Sequence, residues 1–96
     1  MSMNRLLTKS FSVTGSTQQT LTQIESFLGE LRNCHAPEKE FHLVHALVFP
    51  KNLHEAQQKE FNGQLGQVYE KCGFKVLGGD TSSGRELSVF ISAIVF

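Results

Sequence analysis

The first half of the chain alternates apolar and polar positions in a way that predicts a strand followed by a helix. Residues 6–14 mix β-branched and apolar side chains, which is typical of a strand. Ser16 and Gln19 have the spacing of a capping box, which indicates where the helix begins. Residues 21–31 then carry apolar side chains at helical spacing, so one face of this helix is predicted to be buried.

The next segment predicts a second strand and a second helix. Residues 41–49 are apolar on both faces, which is typical of a strand inside a sheet. A second capping box, formed by Asn52 and Glu55, predicts the start of the helix. Two glycines, Gly63 and Gly66, lie inside this helix, where each costs about 1 kcal/mol relative to alanine. We therefore expect the helix backbone to pack closely against the sheet at these glycines.

The remainder of the chain predicts two more strands joined by a turn. Gly73 predicts the end of the second helix, and residues 75–77 predict a short third strand. Residues 78–84, here called the glycine segment, have the composition of a turn, and residues 87–96 predict a fourth strand antiparallel to the third. The order β-α-β-α-β-β indicates one α+β domain over residues 1–96, with a mixed four-stranded sheet. Both helices lie on one face of that sheet if both crossovers step in the same direction.

That arrangement leaves the other face of the sheet, here called the uncovered face, without a layer of this chain. In the fourth strand the inward set is Leu87, Val89, Ile91, Ala93 and Val95. The set on the uncovered face is Ser88, Phe90, Ser92, Ile94 and Phe96. The second strand adds either Val44, Ala46 and Val48, or Phe41, Leu43, Leu47 and Phe49.

Such a face is larger and more apolar than monomers commonly expose. We therefore expect it to be buried in a homo-oligomer, a two-fold dimer first and a trimer second. The interface residues this predicts are Val44, Val48, Phe90, Ile94 and Phe96.

The charge balance, the hydrophobic content and the cysteines limit the kinds of protein that this sequence can encode. Nine basic and nine acidic residues cancel, so the sequence predicts neither nucleic-acid nor membrane binding. A hydrophobic content of 40% excludes intrinsic disorder. Cys34 and Cys72 are far apart and lack metal-ligand spacing, which favours a reduced, cytoplasmic protein with inert thiols.

The second half of the chain resembles a known family. The resemblance rests on four successive segments, "FHLVHALVFP", "NLHEAQQKEFNGQLGQVYEKCGF", "KVLGGDTSSG" and "ELSVFISAIVF". This succession is similar to the N-terminal domain of the aminoimidazole ribonucleotide (AIR) synthetase and thiamine-monophosphate kinase superfamily. The resemblance implies a mixed sheet with both helices on one side, and two such domains pairing through their sheets into a barrel-like dimer. The same order of elements also resembles the chorismate-mutase-like fold group, whose members often trimerise.

The resemblance implies ATP and magnesium as ligands, but few of the family's site residues are present. The matching region at residues 11–16 contains no carboxylate, and only Asp80, with Thr81 beside it, corresponds to a family site residue. Asp80 is the candidate metal ligand, although magnesium normally takes several oxygen ligands. The candidate nucleotide- or phosphate-binding residues are Gly78, Gly79, Asp80, Thr81 and Arg85.

Other candidate sites are weaker. The glycine segment is more readily explained as a hairpin turn than as a phosphate site, because no helix N-terminus follows it. His42 and His45 are three positions apart in a strand, so they lie on opposite faces and cannot share a metal. One of them could still tune association at an interface.

Three functions remain open from the sequence. The first is a stand-alone, non-catalytic or degenerate module of the AIR-synthetase-like fold, with at most weak nucleotide or phosphate binding. The second is a small enzyme with active sites between subunits, which would use Arg32, Lys75 or Arg85. The third is an accessory subunit that pairs with a full-length ATP-dependent enzyme.

Overall fold

The chain forms one α+β domain with the predicted β-α-β-α-β-β order. The structure, a computed structural model, describes residues 5–35 and 39–96. Its elements are β1 (Arg5–Ser12), α1 (Thr17–Asn33), β2 (Phe41–Pro50), α2 (Glu55–Lys71), β3 (Lys75–Gly84) and β4 (Ser88–Val95). None of the helices in this described part is long and apolar enough to cross a membrane.

The strands form a mixed four-stranded sheet in the order β1-β4-β2-β3. β4 is antiparallel to both of its neighbours, and β2 is parallel to β3. β4 therefore runs antiparallel to β3, as predicted, but the two strands are not adjacent, because β2 lies between them. The apolar strands β2 and β4 occupy the centre, whereas the polar, glycine-rich β3 occupies an edge, where a strand can remain exposed to water.

Both helices pack on the same side of this sheet. One contiguous core joins the buried side chains of α1 and α2 to those of the strands. In β4 the predicted inward side chains Val89, Ile91 and Ala93 are fully buried. In β2 the buried set is Phe41, Leu43, Leu47 and Phe49. Val44, Ala46 and Val48 consequently belong to the uncovered face, which settles the alternative left open by the sequence.

One of the predicted helix starts is right and the other is wrong. Ser16 caps α1, and its hydroxyl accepts a hydrogen bond from the Gln19 backbone nitrogen at 3.2 Å. The predicted start at Asn52 is displaced, because residues 51–53 form a turn closed by a bond from the Leu53 nitrogen to the Pro50 carbonyl. The N-cap of α2 is His54, whose backbone nitrogen donates to Gln57 Oε1 at 3.2 Å.

The glycines inside α2 do not pack against the sheet, contrary to expectation. The buried positions of this helix are Phe61, Leu65 and Tyr69. Gly63 and Gly66 lie on the exposed side, and a Cβ added at either would meet no atom within 4 Å. Their cost to the helix is therefore not offset by close packing within this chain.

The end of α2 follows the prediction. Gly73 has a φ of 76°, and its nitrogen bonds to the Glu70 carbonyl while the Phe74 nitrogen bonds to the Tyr69 carbonyl. These two bonds define a Schellman motif, and the buried Phe74 supplies its hydrophobic contact. Arg32 Nη1 of α1 donates to the Gly73 carbonyl at 3.2 Å, which ties the ends of the two helices together.

Two glycine-to-alanine substitutions in this region should have opposite effects. Gly66→Ala should raise the free energy of unfolding by about 1 kcal/mol, because alanine is the better helix former at an open position. Gly73→Ala should lower it by about 1–2 kcal/mol, because alanine is strained at positive φ. Its Cβ would also lie 2.5 Å from Arg32 Nη1. Urea unfolding of the three proteins measures both effects, and equal stabilities would contradict the helix boundary described above.

Candidate functional site

The glycine segment is a strand and not a turn. Residues 78–84 form most of β3, which pairs in parallel with β2 along its whole length. The prediction of a hairpin turn at these residues is therefore wrong, and the change of direction falls between β3 and β4. The local signal was misleading because glycine, aspartate and serine also suit an exposed edge strand whose backbone is paired on one side only.

The register with β2 separates the candidate ligand-binding residues. A β-bulge shifts the pairing between Leu43 and Val44, after which Ala46 pairs with Asp80 and Leu47 with Thr81. Asp80 therefore shares the uncovered face with Ala46, while Thr81 lies on the helix side with Leu47. Asp80 Oδ1 accepts a hydrogen bond from the Thr81 nitrogen at 2.9 Å. Two neighbouring side chains on opposite faces do not form one cradle around a phosphate.

The described residues of one copy do not complete a magnesium site. In the ranges 5–35 and 39–96 no three His, Cys, Asp or Glu side chains are close enough together to hold a metal ion. Arg85 follows the end of β3 and is exposed, and it makes no ion pair with Asp80 among these residues. Since magnesium normally takes several oxygen ligands, Asp80 alone does not provide the site.

One glycine of the segment is explained by packing. A Cβ added at Gly79 would lie 2.5 Å from Cδ2 and 2.7 Å from Nε2 of His45. A Cβ added at Gly78 would meet no atom within 4 Å. The imidazole of His45 thus occupies the space that a side chain at position 79 would need, which gives Gly79 a structural role and leaves Gly78 without one.

His45 belongs to the core side of the sheet, as its predicted separation from His42 requires. Its Nδ1 atom lies 2.9 Å from the hydroxyl of Tyr69, which is 1% exposed. Burial removes water from both groups, so the pKa of His45 is lowered and the pKa of Tyr69 is raised. Both side chains are therefore neutral near pH 7, which suits a structural hydrogen bond between the sheet and α2.

The cysteines do not form a reactive site with their neighbours. Cys34 is exposed at the end of α1, and the adjacent His35 directs Nδ1 to the Leu31 carbonyl at 2.7 Å. Cys72 is half-buried, and burial raises the pKa of its thiol. The expected inert thiol therefore fits Cys72, whereas Cys34 is more exposed than expected.

The uncovered face is the most distinctive surface of the molecule. Phe90 is 43% exposed, Phe96 41% and Val44 36%. Val48 and Ile94, the other predicted interface residues, lie on the same face and are half-buried. β1 adds Leu6, which pairs with Ile94 and is 66% exposed. The sequence did not indicate Leu6 as an interface residue, because its orientation depends on the register between β1 and β4.

Comparison with solved structures identifies the fold. Thiamine monophosphate kinase from Aquifex aeolicus matches with a TM-score of 0.72 at 13% identity, covering 96% of this chain and 33% of its own. The hydrogenase maturation protein HypE of E. coli matches with a TM-score of 0.71 at 12% identity, covering 98% and 31%. No protein-family model and no curated protein sequence matches.

These matches confirm the AIR-synthetase-like N-terminal fold that the sequence resemblance implied. A third match, a protein of Thermus thermophilus, has a TM-score of 0.73 at 19% identity. At such low identities the similarity concerns the fold alone. The chain spans about a third of the length of the structures it matches.

The two adjacent glycines of β3 should respond differently to substitution. Gly79→Ala should lower the free energy of unfolding by about 1–2 kcal/mol, because the new methyl group displaces His45 from Tyr69. Gly78→Ala should leave stability unchanged or raise it by about 0.5 kcal/mol, because its site is open. Urea unfolding compares the pair. Equal losses in both variants would indicate a shared backbone requirement and would contradict the role assigned to Gly79.

Proposed function

We propose that this chain is a non-catalytic module with the AIR-synthetase-like N-terminal fold that assembles into a homodimer through the uncovered face. The observation that carries this proposal is the exposure of Phe90, Phe96 and Val44 on one face of the sheet while both helices cover the other. Monomeric proteins rarely expose a contiguous apolar patch of this kind. Each square ångström of apolar surface that leaves water contributes about 25 cal/mol to association.

A second copy of this chain is the partner we favour, because a mostly apolar face can pack against its own copy about a two-fold axis. Its apolar side chains are interspersed with small polar groups, and Ser92 lies between Thr8 and Val44 in the sheet register. Thr8 Oγ1 and Ser92 Oγ are 3.2 Å apart. No charged side chain of β4 interrupts the patch, since β4 reads SVFISAIV. A full-length enzyme of the same fold, the partner in the accessory-subunit hypothesis, remains an outcome of the test below.

The absence of catalysis is proposed from the placement of the polar residues. Asp80 offers one carboxylate on the uncovered face, and Thr81 lies on the opposite face. Any nucleotide or phosphate contact through Gly78, Gly79, Asp80, Thr81 or Arg85 is therefore weak. Within one copy, Arg85 lies roughly 30 Å along β3 from Lys75, so these two cations do not share a site in the same subunit.

Disrupting the uncovered face should dissociate the dimer. Phe90→Asp places a charge at the centre of the proposed interface and should convert a dimer into a monomer in sedimentation or light-scattering measurements. Ala56→Asp is the matched control, because it adds the same charge on the exposed first turn of α2 and should leave the dimer intact. Circular dichroism checks that both variants remain folded.

Three other results would each be informative about the oligomer. A monomeric wild-type protein at high micromolar concentration would refute the proposed homodimer. A stable trimer would refute the two-fold arrangement. A monomer that becomes a one-to-one complex only when a full-length enzyme of this fold is added would favour the accessory subunit.

Nucleotide binding should be weak at best. Magnesium-ATP at a concentration equal to its dissociation constant stabilises a protein by only about 0.4 kcal/mol. We expect millimolar magnesium-ATP to raise the melting temperature by a degree or less, with Asp80→Ala removing whatever shift occurs. A large shift at micromolar ATP that depends on Asp80 would contradict the assignment of a degenerate module.

A further inference from the structure

A small cavity at one end of the sheet concentrates positive charge. The start of β2, the start of β3 and the end of α1 surround a volume of about 130 Å³. Arg32, Lys39 and Lys75 line it, and the single carboxylate in its described lining belongs to Glu40. In a chain with equal numbers of basic and acidic residues, three cations around one small space are a local excess.

The positive charge of this cavity is not neutralised by ion pairs. Within the described ranges Arg32, Lys39 and Lys75 take part in no ion pair, and Glu40 Oε2 lies 3.5 Å from His42 Nε2. The grooves between α1 and α2 differ in this respect, because Lys71 Nζ there is 2.7 Å from Glu25 Oε1. In the described chain, three cations thus face a common space that contains one carboxylate, that of Glu40.

Attraction to the partial negative charge at the carbonyl end of a helix explains the position of only one of these cations. The guanidinium of Arg32 donates to the Gly73 carbonyl and so interacts with the carbonyl end of α2. Lys39 lies just before β2, and Lys75 is the first residue of β3. Neither forms a hydrogen bond with a helix carbonyl in the described chain. Their positions therefore have no explanation in helix capping.

Two of the lining groups are held in place before any ligand arrives. The Arg32 guanidinium lies over the Phe41 ring, 4.8 Å from its centroid, in addition to its bond to Gly73. His42 lies beside Lys75 in the sheet register, and its ring packs edge-on against the ring of Phe96, with centroids 5.1 Å apart.

From these observations we propose that the cavity binds the phosphate group of a small phosphomonoester or of inorganic phosphate. A volume of about 130 Å³ is well below the several hundred Å³ of pockets for larger ligands, so the cavity holds one phosphate group and not a whole nucleotide. Arg32 supplies a planar donor group, and Lys39 and Lys75 supply point charges. This site is separate from Asp80, and its described lining belongs to one copy of the chain.

Phosphate titration tests the proposal directly. Inorganic phosphate and glycerol phosphate are each added to the full chain at constant ionic strength, and backbone amide shifts are followed by NMR. We expect saturable shifts confined to residues 32, 39–42 and 73–75. Lys75→Gln should weaken binding about tenfold, because it removes a charge-assisted contact. Lys59→Gln, on the exposed face of α2, is the control and should bind as the wild type does.

The results of this titration either identify the ligand of the cavity or refute the site. Tighter binding of glycerol phosphate identifies an organic phosphate as the ligand, and equal affinities identify the free ion. Shifts that do not saturate, or that Lys75→Gln and Lys39→Gln both leave unchanged, refute the site. Because the readout does not involve oligomeric state or ATP, a negative result here leaves the proposed dimer untouched, and a monomeric protein leaves this site testable.

Discussion

The structure depends on the contact between the two central strands and the two helices. β4 and β2 are adjacent, and their inward side chains Val89, Ile91 and Leu43 are fully excluded from water. Two helices of this length cover one face of a four-stranded sheet and leave the other face without a layer. The core and the exposed patch are therefore two consequences of the same arrangement, since the strands that fill the core carry apolar side chains on both faces.

Local periodicity was sufficient to predict the order of the elements and the orientation of β4, but it did not predict the length of β3 or the start of α2. Alternation along residues 88–95 placed Phe90 and Ile94 on the face away from the helices, as the structure has them. Periodicity did not predict the order of strands in the sheet, because it tells which face a side chain occupies and not which strand lies beside it. The central position of β4 is a property of the whole sheet and has no signal within β4 itself.

The glycine segment shows where local chemistry is ambiguous. Its residues favour turns when the backbone has no partner, yet β2 offers a parallel row of hydrogen-bonding groups that keeps the segment extended. Gly79 is needed because the His45 ring lies against it, a contact between residues 34 positions apart that is invisible before the register is known. The motif that carried the family resemblance therefore indicated the correct fold, although the turn assigned to it was wrong.

Similarity of fold does not transfer the chemistry of the enzymes that share it, because activity resides in particular side chains. In this chain the carboxylate of Asp80 lies in the middle of the edge strand β3. The cations that line the cavity lie near the starts of β2 and β3. His42 belongs both to the uncovered face and to the lining of the cavity. Covering that face would remove water from the rim of the cavity and strengthen the attraction between its cations and an anion. By reciprocity, an anion in the cavity would then favour the covered state to the same degree.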